Sequence, residues 1–244
     1  MAKQNVNVET LVIENEMQYD GVTVLSYKIE YPQFSSENYR RSILRINDFY
    51  RARALDYQEY VRTTLYQMAV EQYLDDKENG FPVRVFAAQD SYNITYNRAC
   101  IISLYFDRYE YTGGAHGLTV RSSQTWNLQS GQMVKLGELF ECLFNYKEYI
   151  IRNVIEQIRK NPDIYFEDYE GLVRQTFNVD NFYATPEGIV VYFQQYDIAP
   201  YASGIREFLI PYNDCVIDPI NKCTNTGASF TINLPFLRKR SKQL

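Results

Sequence analysis

The chain has 244 residues, 45% of them hydrophobic and 23% charged, with 8 prolines and 11 glycines scattered along it, a balance that excludes a disordered chain. Its length supports a sizeable core, in one large domain or two small ones. A net charge of −5 and a pI near 5.1 argue against a nucleic-acid binder, which needs a basic stripe along the phosphates. The longest apolar runs, such as Ile189 to Phe193, are strand length and far short of the ~20 residues of a membrane span. No apolar leader follows Met1, so the sequence as written points to the cytoplasm, or to an extracytoplasmic site if a leader has been removed.

Strand-like runs come first, at Thr10 to Glu14 and Val22 to Tyr31, where Leu25, Tyr27, Ile29 and Tyr31 alternate with Ser26, Lys28 and Glu30. After Pro32, Ser35 or Ser36 is the expected N-cap of a long amphipathic helix. Its apolar positions are Ile43, Ile46, Tyr50, Ala54, Tyr57, Val61, Leu65 and Met68. Asn79-Gly80 is its expected end, with glycine suited to the left-handed cap and Pro82 beyond it. Three or four strands fit between Val83 and Leu128. A second helix is expected from Leu139 to Lys160, a short third one from Tyr169 to Thr176, then a hairpin around Thr185-Pro186-Glu187 and a last strand from Ile205 to Tyr212.

Strands in adjacent runs, interrupted by only two long helices, predict an α+β fold with a mainly antiparallel sheet and the helices packed on one face. The other face would stay open for tyrosines. The chain has 23 of them, and several fall at helical core spacing, so most are assigned to the core and the surplus to a binding surface. Cys100, Cys142, Cys215 and Cys223 lack metal-site spacing and are expected as free thiols, with a Cys215–Cys223 bridge as the alternative. The basic run Arg238 to Lys242 reads as a solvated tail.

Chemistry-bearing motifs are few. The single histidine, His116, lies in Gly113-Gly114-Ala115-His116-Gly117, where three glycines in five residues permit positive φ and close backbone approach. It serves either as an acid or base or as a ring that fixes the turn, and the second is preferred. A second loop, Tyr196-Asp197-Ile198-Ala199-Pro200-Tyr201-Ala202-Ser203-Gly204, joins aromatic residues to proline and glycine. With one histidine, no paired cysteine motif and no glycine-rich phosphate loop, no cofactor is expected. Asp107, Glu110 and Asp197 are the carboxylates available to pair as acid and base.

These two loops, with Gly137-Glu138-Leu139-Phe140 and Val190-Val191-Tyr192-Phe193-Gln194-Gln195-Tyr196, resemble the RsiV-like family, named for a lysozyme-sensing anti-sigma factor. The resemblance divides the chain into an N-terminal strand-helix-strand region, 1–96, a C-terminal RsiV-like region, 97–212, and an extension, 213–244. It implies a non-catalytic binding module for a lysozyme-like protein or a cell-envelope glycan, with Tyr111, Gly114, His116, Tyr196, Pro200 and Tyr201 as the contacting set. Related regions accompany peptidoglycan deacetylases as accessory parts. The transmembrane and sigma-binding segments of the sensor are not in this sequence. An enzyme acting on envelope glycan and a self-associating structural protein remain the alternatives.

Overall fold

The computed structural model describes residues 6–142 and 144–224; the basic run Arg238 to Lys242 lies outside them. β1 (Asn7–Tyr19) and β2 (Val22–Ser35) form a long antiparallel hairpin. Its turn, Asp20-Gly21, takes positive φ at both residues, 54° and 77°, as the right-handed twist of two strands joined by two residues demands. The alternation read in β2 holds, with Leu25, Tyr27 and Ile29 buried. Pro32 does not end the strand. The Phe34 N–H, two residues on and on the same side, is satisfied by Asn47 Oδ1 at 2.9 Å and not by a strand, so proline's missing donor breaks no ladder there.

The helix therefore begins later than Ser35 or Ser36. α1 (Arg40–Tyr60) has Tyr39 at its N-cap without a side-chain bond, and Ser36 Oγ accepts from the Asn38 N–H instead. A π-helical turn at Val61–Leu65 leads without a break into α2 (Tyr66–Asn79), which closes on Gly80 at φ 71° as expected. The extra residue of the π turn rotates the buried stripe by one position. Met68 is accordingly 42% exposed while Ala69 and Tyr73 are buried.

β3 (Phe86–Arg98), β4 (Ile101–Tyr111), β5 (Leu118–Asn127) and the short β6 (Gln132–Met133) complete a sheet in the order β1-β2-β3-β4-β5-β6. Every pairing is antiparallel except β2 with β3, where the long helix is the crossover that parallel strands require. Ile43, Ile46 and Tyr50 of α1 pack on Phe34, Ile102, Leu104 and Phe106. Tyr50 stacks on Phe106 at 5.5 Å and accepts the Trp126 indole N–H at 2.7 Å.

α3 (Tyr146–Ile158) starts after the expected Leu139 because Leu136–Leu139 form a separate 3-10 turn and Asn145 supplies the cap, accepting from the Glu148 N–H at 3.3 Å. α4 (Tyr169–Thr176) is followed by β7 (Phe182–Ala184), β8 (Gly188–Phe193) and β9 (Arg206–Pro211), a second, fully antiparallel sheet. Its Ile189, Val191 and Phe193 share a core with Ile150 and Val154 of α3. Its other face puts Tyr183, Val190 and Tyr192 against Tyr105 of β4. The α+β, mainly antiparallel class is the one expected, with each sheet carrying its helices on one face. The open tyrosine face is not: the second sheet covers it.

The cysteines also differ from expectation, since none among the described residues is free. Cys100 sits in the β3–β4 turn after Ala99 (φ 52°), not within a strand, and bonds Cys223; Cys142 bonds Cys215. The partners lie 123 and 73 residues apart in sequence with Cα separations of 5.8 and 5.0 Å, so only the fold brings them into bonding range. Both bridges fasten the segment around Val216, which is buried in the α3 core, to the rest of the chain.

Two predictions follow from this arrangement. Alkylation of the unfolded but unreduced protein should label none of the four cysteines, and reduction should lower stability in urea by roughly 2–4 kcal/mol per bridge lost. The second concerns Asp76, buried near the end of α2. The Arg84 guanidinium, donating from Nε at 3.0 Å, holds its carboxyl below the usual range, with help from Gln72 Nε2 at 3.0 Å. A depressed folded pKa contributes stability that is full above the ordinary value of about 3.9 and is lost as pH falls below it through the folded value. Asp76→Asn should therefore destabilise the protein at pH 7 and much less at pH 3 when urea midpoints are compared.

Candidate binding site

The β4–β5 loop and the β8–β9 loop meet at one end of the molecule. Each is fixed by local chemistry before they touch. Gly117 has no room for a side chain: a Cβ there would lie 2.3 Å from the Tyr109 ring and 2.6 Å from the Glu110 carbonyl oxygen. Gly113, at φ 83°, offers its carbonyl to Arg84 Nη1 at 3.3 Å, which ties this loop to the end of α2. In the second loop Ile198 and Ala199 are buried plugs, and the Pro200 carbonyl accepts from the Ser203 N–H in a 3-10 turn that lifts Tyr201 outward. Arg206 Nη1 donates to the Ser203 carbonyl at 3.1 Å and closes the loop base.

Two glutamines join the loops. Gln194 Oε1 accepts from the Arg121 N–H at 2.9 Å while its Nε2 donates to the Arg121 carbonyl at 2.7 Å. Gln195 Oε1 accepts from the Thr119 N–H at 2.7 Å. The side chains thus take the place of a neighbouring strand along the outer edge of β5, satisfying groups that an exposed edge would leave open. The Gln194 N–H donates to Asp197 Oδ2 at 2.7 Å. Burial raises the Asp197 carboxyl above its ordinary value, and that backbone hydrogen bond offsets part of the rise.

At the tip, the His116 ring stacks on Tyr201 with centroids 3.7 Å apart and planes 18° from parallel. Nδ1 is 3.1 Å from the Gly117 carbonyl oxygen and Nε2 is 3.4 Å from the Tyr196 hydroxyl. A carbonyl can only accept, so Nδ1 carries a proton and donates to Gly117, while Nε2 pairs with the Tyr196 hydroxyl. Tyr196 holds φ 68°, unusual for a residue with a Cβ, and its ring lies 5.9 Å from that of Tyr201. No carboxylate of the described residues bonds His116: Asp107 is engaged by Arg121, Glu110 by Tyr57 and Tyr60, and Asp197 by Gln194.

Of the six residues singled out from the sequence, His116, Tyr196 and Tyr201 form one aromatic cluster, and Pro200 sits at its edge. Gly114 is in the same loop with open space where a Cβ would be, the nearest atom being the His116 carbonyl oxygen at 3.9 Å. Tyr111 lies apart, at the end of β4 opposite Ala87. Sequence reasoning quoted Gln194 and Gln195 without assigning them a task, and it missed Arg121. The signal for Arg121 was a cation at an inward position of an alternating strand, opposite Asp107 in β4.

Arg121 stands between the two sheets. It donates bidentately to Asp107, from Nε and Nη2 at 2.7 Å each, and through Nη1 to Glu207 of β9, and it lies 3.7 Å over the Tyr105 ring. Burial works against its charge, but the two carboxylates outweigh burial and hold the guanidinium firmly protonated.

The geometry defines an α+β double-sheet domain, and solved structures share that fold. Residues 21–119 match the family described as deacetylase PdaC, and residues 138–213 match a protein family of unknown function, DUF3298. A peptidoglycan-N-acetylmuramic acid deacetylase, PdaC, of Bacillus subtilis (strain 168) is 25% identical over 198 residues, 80% of this chain. The chain spans 38% of the length of that relative. A DUF3298 family member from Bacteroides fragilis shares the fold with a TM-score of 0.69 at 19% identity, covering 89% of this chain and 97% of its own. A DUF3298 protein of Pseudomonas aeruginosa PAO1 does so with a TM-score of 0.61 at 14% identity, covering 86% and 92%.

Removing the guanidinium should strand Asp107 and Glu207 at the sheet-to-sheet contact. Arg121→Met is expected to cost about 3 kcal/mol in urea unfolding, most of it from the uncompensated carboxylates. Adding Asp107→Asn and Glu207→Gln to the same chain should recover part of that loss.

Proposed function

We propose that the chain is a non-catalytic binding module working outside the cytoplasm, whose aromatic tip recognises a lysozyme-like protein or a cell-envelope glycan. The observation that carries this reading is the stack of His116 on Tyr201, with Tyr196 beside it, displayed on two loops that are locked to each other through Gln194 and Gln195. Aromatic groups already held in place supply contact area at small entropic cost, the property of a hot spot. Among the described residues, the cavities of about 630, 550 and 510 Å³ are lined by other residues, so the tip is a feature suited to enter a partner's cleft. The resemblance to the lysozyme-sensing family supports the protein ligand, and the printed substrate of the Bacillus relative supports the glycan.

Two further observations favour this reading over its alternatives. His116 has both nitrogens engaged by neutral groups and lacks the carboxylate that would orient it as a general base. Two disulfides suit an oxidising compartment.

The test is a titration of the purified protein against lysozyme and against soluble peptidoglycan fragments, repeated with His116→Ala and Tyr201→Ala. Saturable binding by one ligand, weakened about tenfold or more by either substitution, is the expected result. Binding that both variants retain at full strength would remove the tip from the proposal, and turnover of the glycan would replace it with the enzyme reading.

A further inference from the structure

A groove of about 550 Å³ runs between α1 and the β4–β5 edge. One wall is a single helical face, with Phe49, Ala52, Asp56 and Tyr60 recurring at steps of three and four residues. Val120 and Ser122 form the other wall. The floor is two guanidinium groups. Arg53 lies 3.8 Å over the Phe106 ring and Arg108 3.6 Å over the Tyr57 ring. Both donate to the fully buried Asp90, Arg53 Nη1 at 2.7 Å and Arg108 Nη2 at 3.2 Å. Arg53 also reaches Ser122 Oγ at 3.4 Å, and the buried Nε of Arg108 has no hydrogen-bond partner.

The charges decide what such a groove can hold. Two cations on the floor face two carboxylates, Asp90 beneath them and Asp56 on the rim, while Glu110, outside the lining, accepts from the Tyr57 hydroxyl at 2.9 Å and the Tyr60 hydroxyl at 3.5 Å. An anion entering the groove would meet Asp56, and the floor charge it sought is already shared with Asp90. A cation would meet both guanidinium groups. An apolar helix would desolvate the arginines and leave their free donors unpaired.

A neutral, polyhydroxylated ligand pays none of these. Its hydroxyls and amide groups find donors on Arg108 and Ser122 and an acceptor on Asp56. Its C–H faces find Phe49 and Tyr60, both 38% exposed, on one wall and Val120, 50% exposed, on the other. We infer that this groove is a binding site for an uncharged oligosaccharide, separate from the aromatic tip. The arginines are held in advance by the buried carboxylate and the rings beneath them, so they need no ordering when the sugar arrives.

Isothermal titration of the full chain with the tetramer of N-acetylglucosamine tests this inference, with an oligogalacturonate tetramer and an acidic hexapeptide as parallel ligands. Saturable binding of the neutral tetramer alone is expected, weakened about tenfold by Tyr60→Ala and by Asp56→Ala and unchanged by Lys160→Ala, just past α3 and outside the groove lining. Both test positions are exposed, and retained urea midpoints would show that the variants fold. Binding of the acidic sugar or the peptide in preference, binding of no ligand at all, or neutral-sugar binding indifferent to both substitutions would each overturn it. A tip that binds lysozyme while the groove takes no sugar would leave the proposed function standing and remove this site.

Discussion

The structure depends on one buried cation. Arg121 sits where two sheets meet, and each of its parts is used: the guanidinium by Asp107 on the neighbouring strand and Glu207 on the second sheet, its face by the Tyr105 ring, and its backbone by the Gln194 side chain. Two sheets in contact ordinarily interdigitate apolar side chains. Here the layer between them is tyrosine, serine, threonine and an ion cluster, with Ser103 and Thr125 hydroxyls 2.7 Å apart and the Ser103 hydroxyl also accepting from the Ala184 N–H at 3.0 Å. A polar layer of this kind adds little net stability, because desolvation offsets most of the attraction, but it tolerates one register far better than any other. The consequence is functional. The register of β8 and β9 against β5 determines where Tyr196 and Tyr201 come to rest beside His116.

The tip also explains why strain is tolerated at Tyr196. A non-glycine residue at φ 68° costs of order 1 kcal/mol or more, and persists only where its surroundings over-determine it. Gln194 and Gln195 pin the chain immediately before it to β5, and the buried Ile198 and Ala199 pin it immediately after. Between those anchors the chain must reverse within two residues. The left-handed conformation accomplishes this and directs the ring toward Nε2 of the histidine.

Periodicity made much of the architecture legible. α2 ends at Gly80, α4 spans the residues expected, and the alternation in β2 marked Leu25, Tyr27 and Ile29 as buried, whereas in β4 Ser103 is buried along with Ile102 and Leu104. What stayed hidden was whatever depends on residues far apart in the chain. The alternation that marks Tyr105 as lying opposite the α1 face cannot say whether water or a second sheet covers it. The pairing of Cys100 with Cys223 and of Cys142 with Cys215 needs the β3–β4 turn and the Val216 segment to be placed first. Local errors had local causes: a proline tolerated because its missing N–H faces no strand, and a π turn that moved Met68 outward and Ala69 inward.

The site was legible in a different sense. The sequence showed two loops of unusual composition, each after a strand, and their meeting is what the fold adds. Glutamine side chains acting as a surrogate strand carry no periodic signal, because a polar residue just past a strand reads as solvent-facing loop. Their role follows only once β5 is known to be an edge, since an edge strand exposes alternate N–H and C=O groups and only a side chain with both an acceptor and a donor can answer one residue's pair at once. Glutamate in place of Gln194 would accept from the Arg121 N–H but turn a charged oxygen toward the Arg121 carbonyl. The amide is therefore required by the geometry of the edge, and through it the position of the aromatic tip is tied to the same residue that joins the sheets.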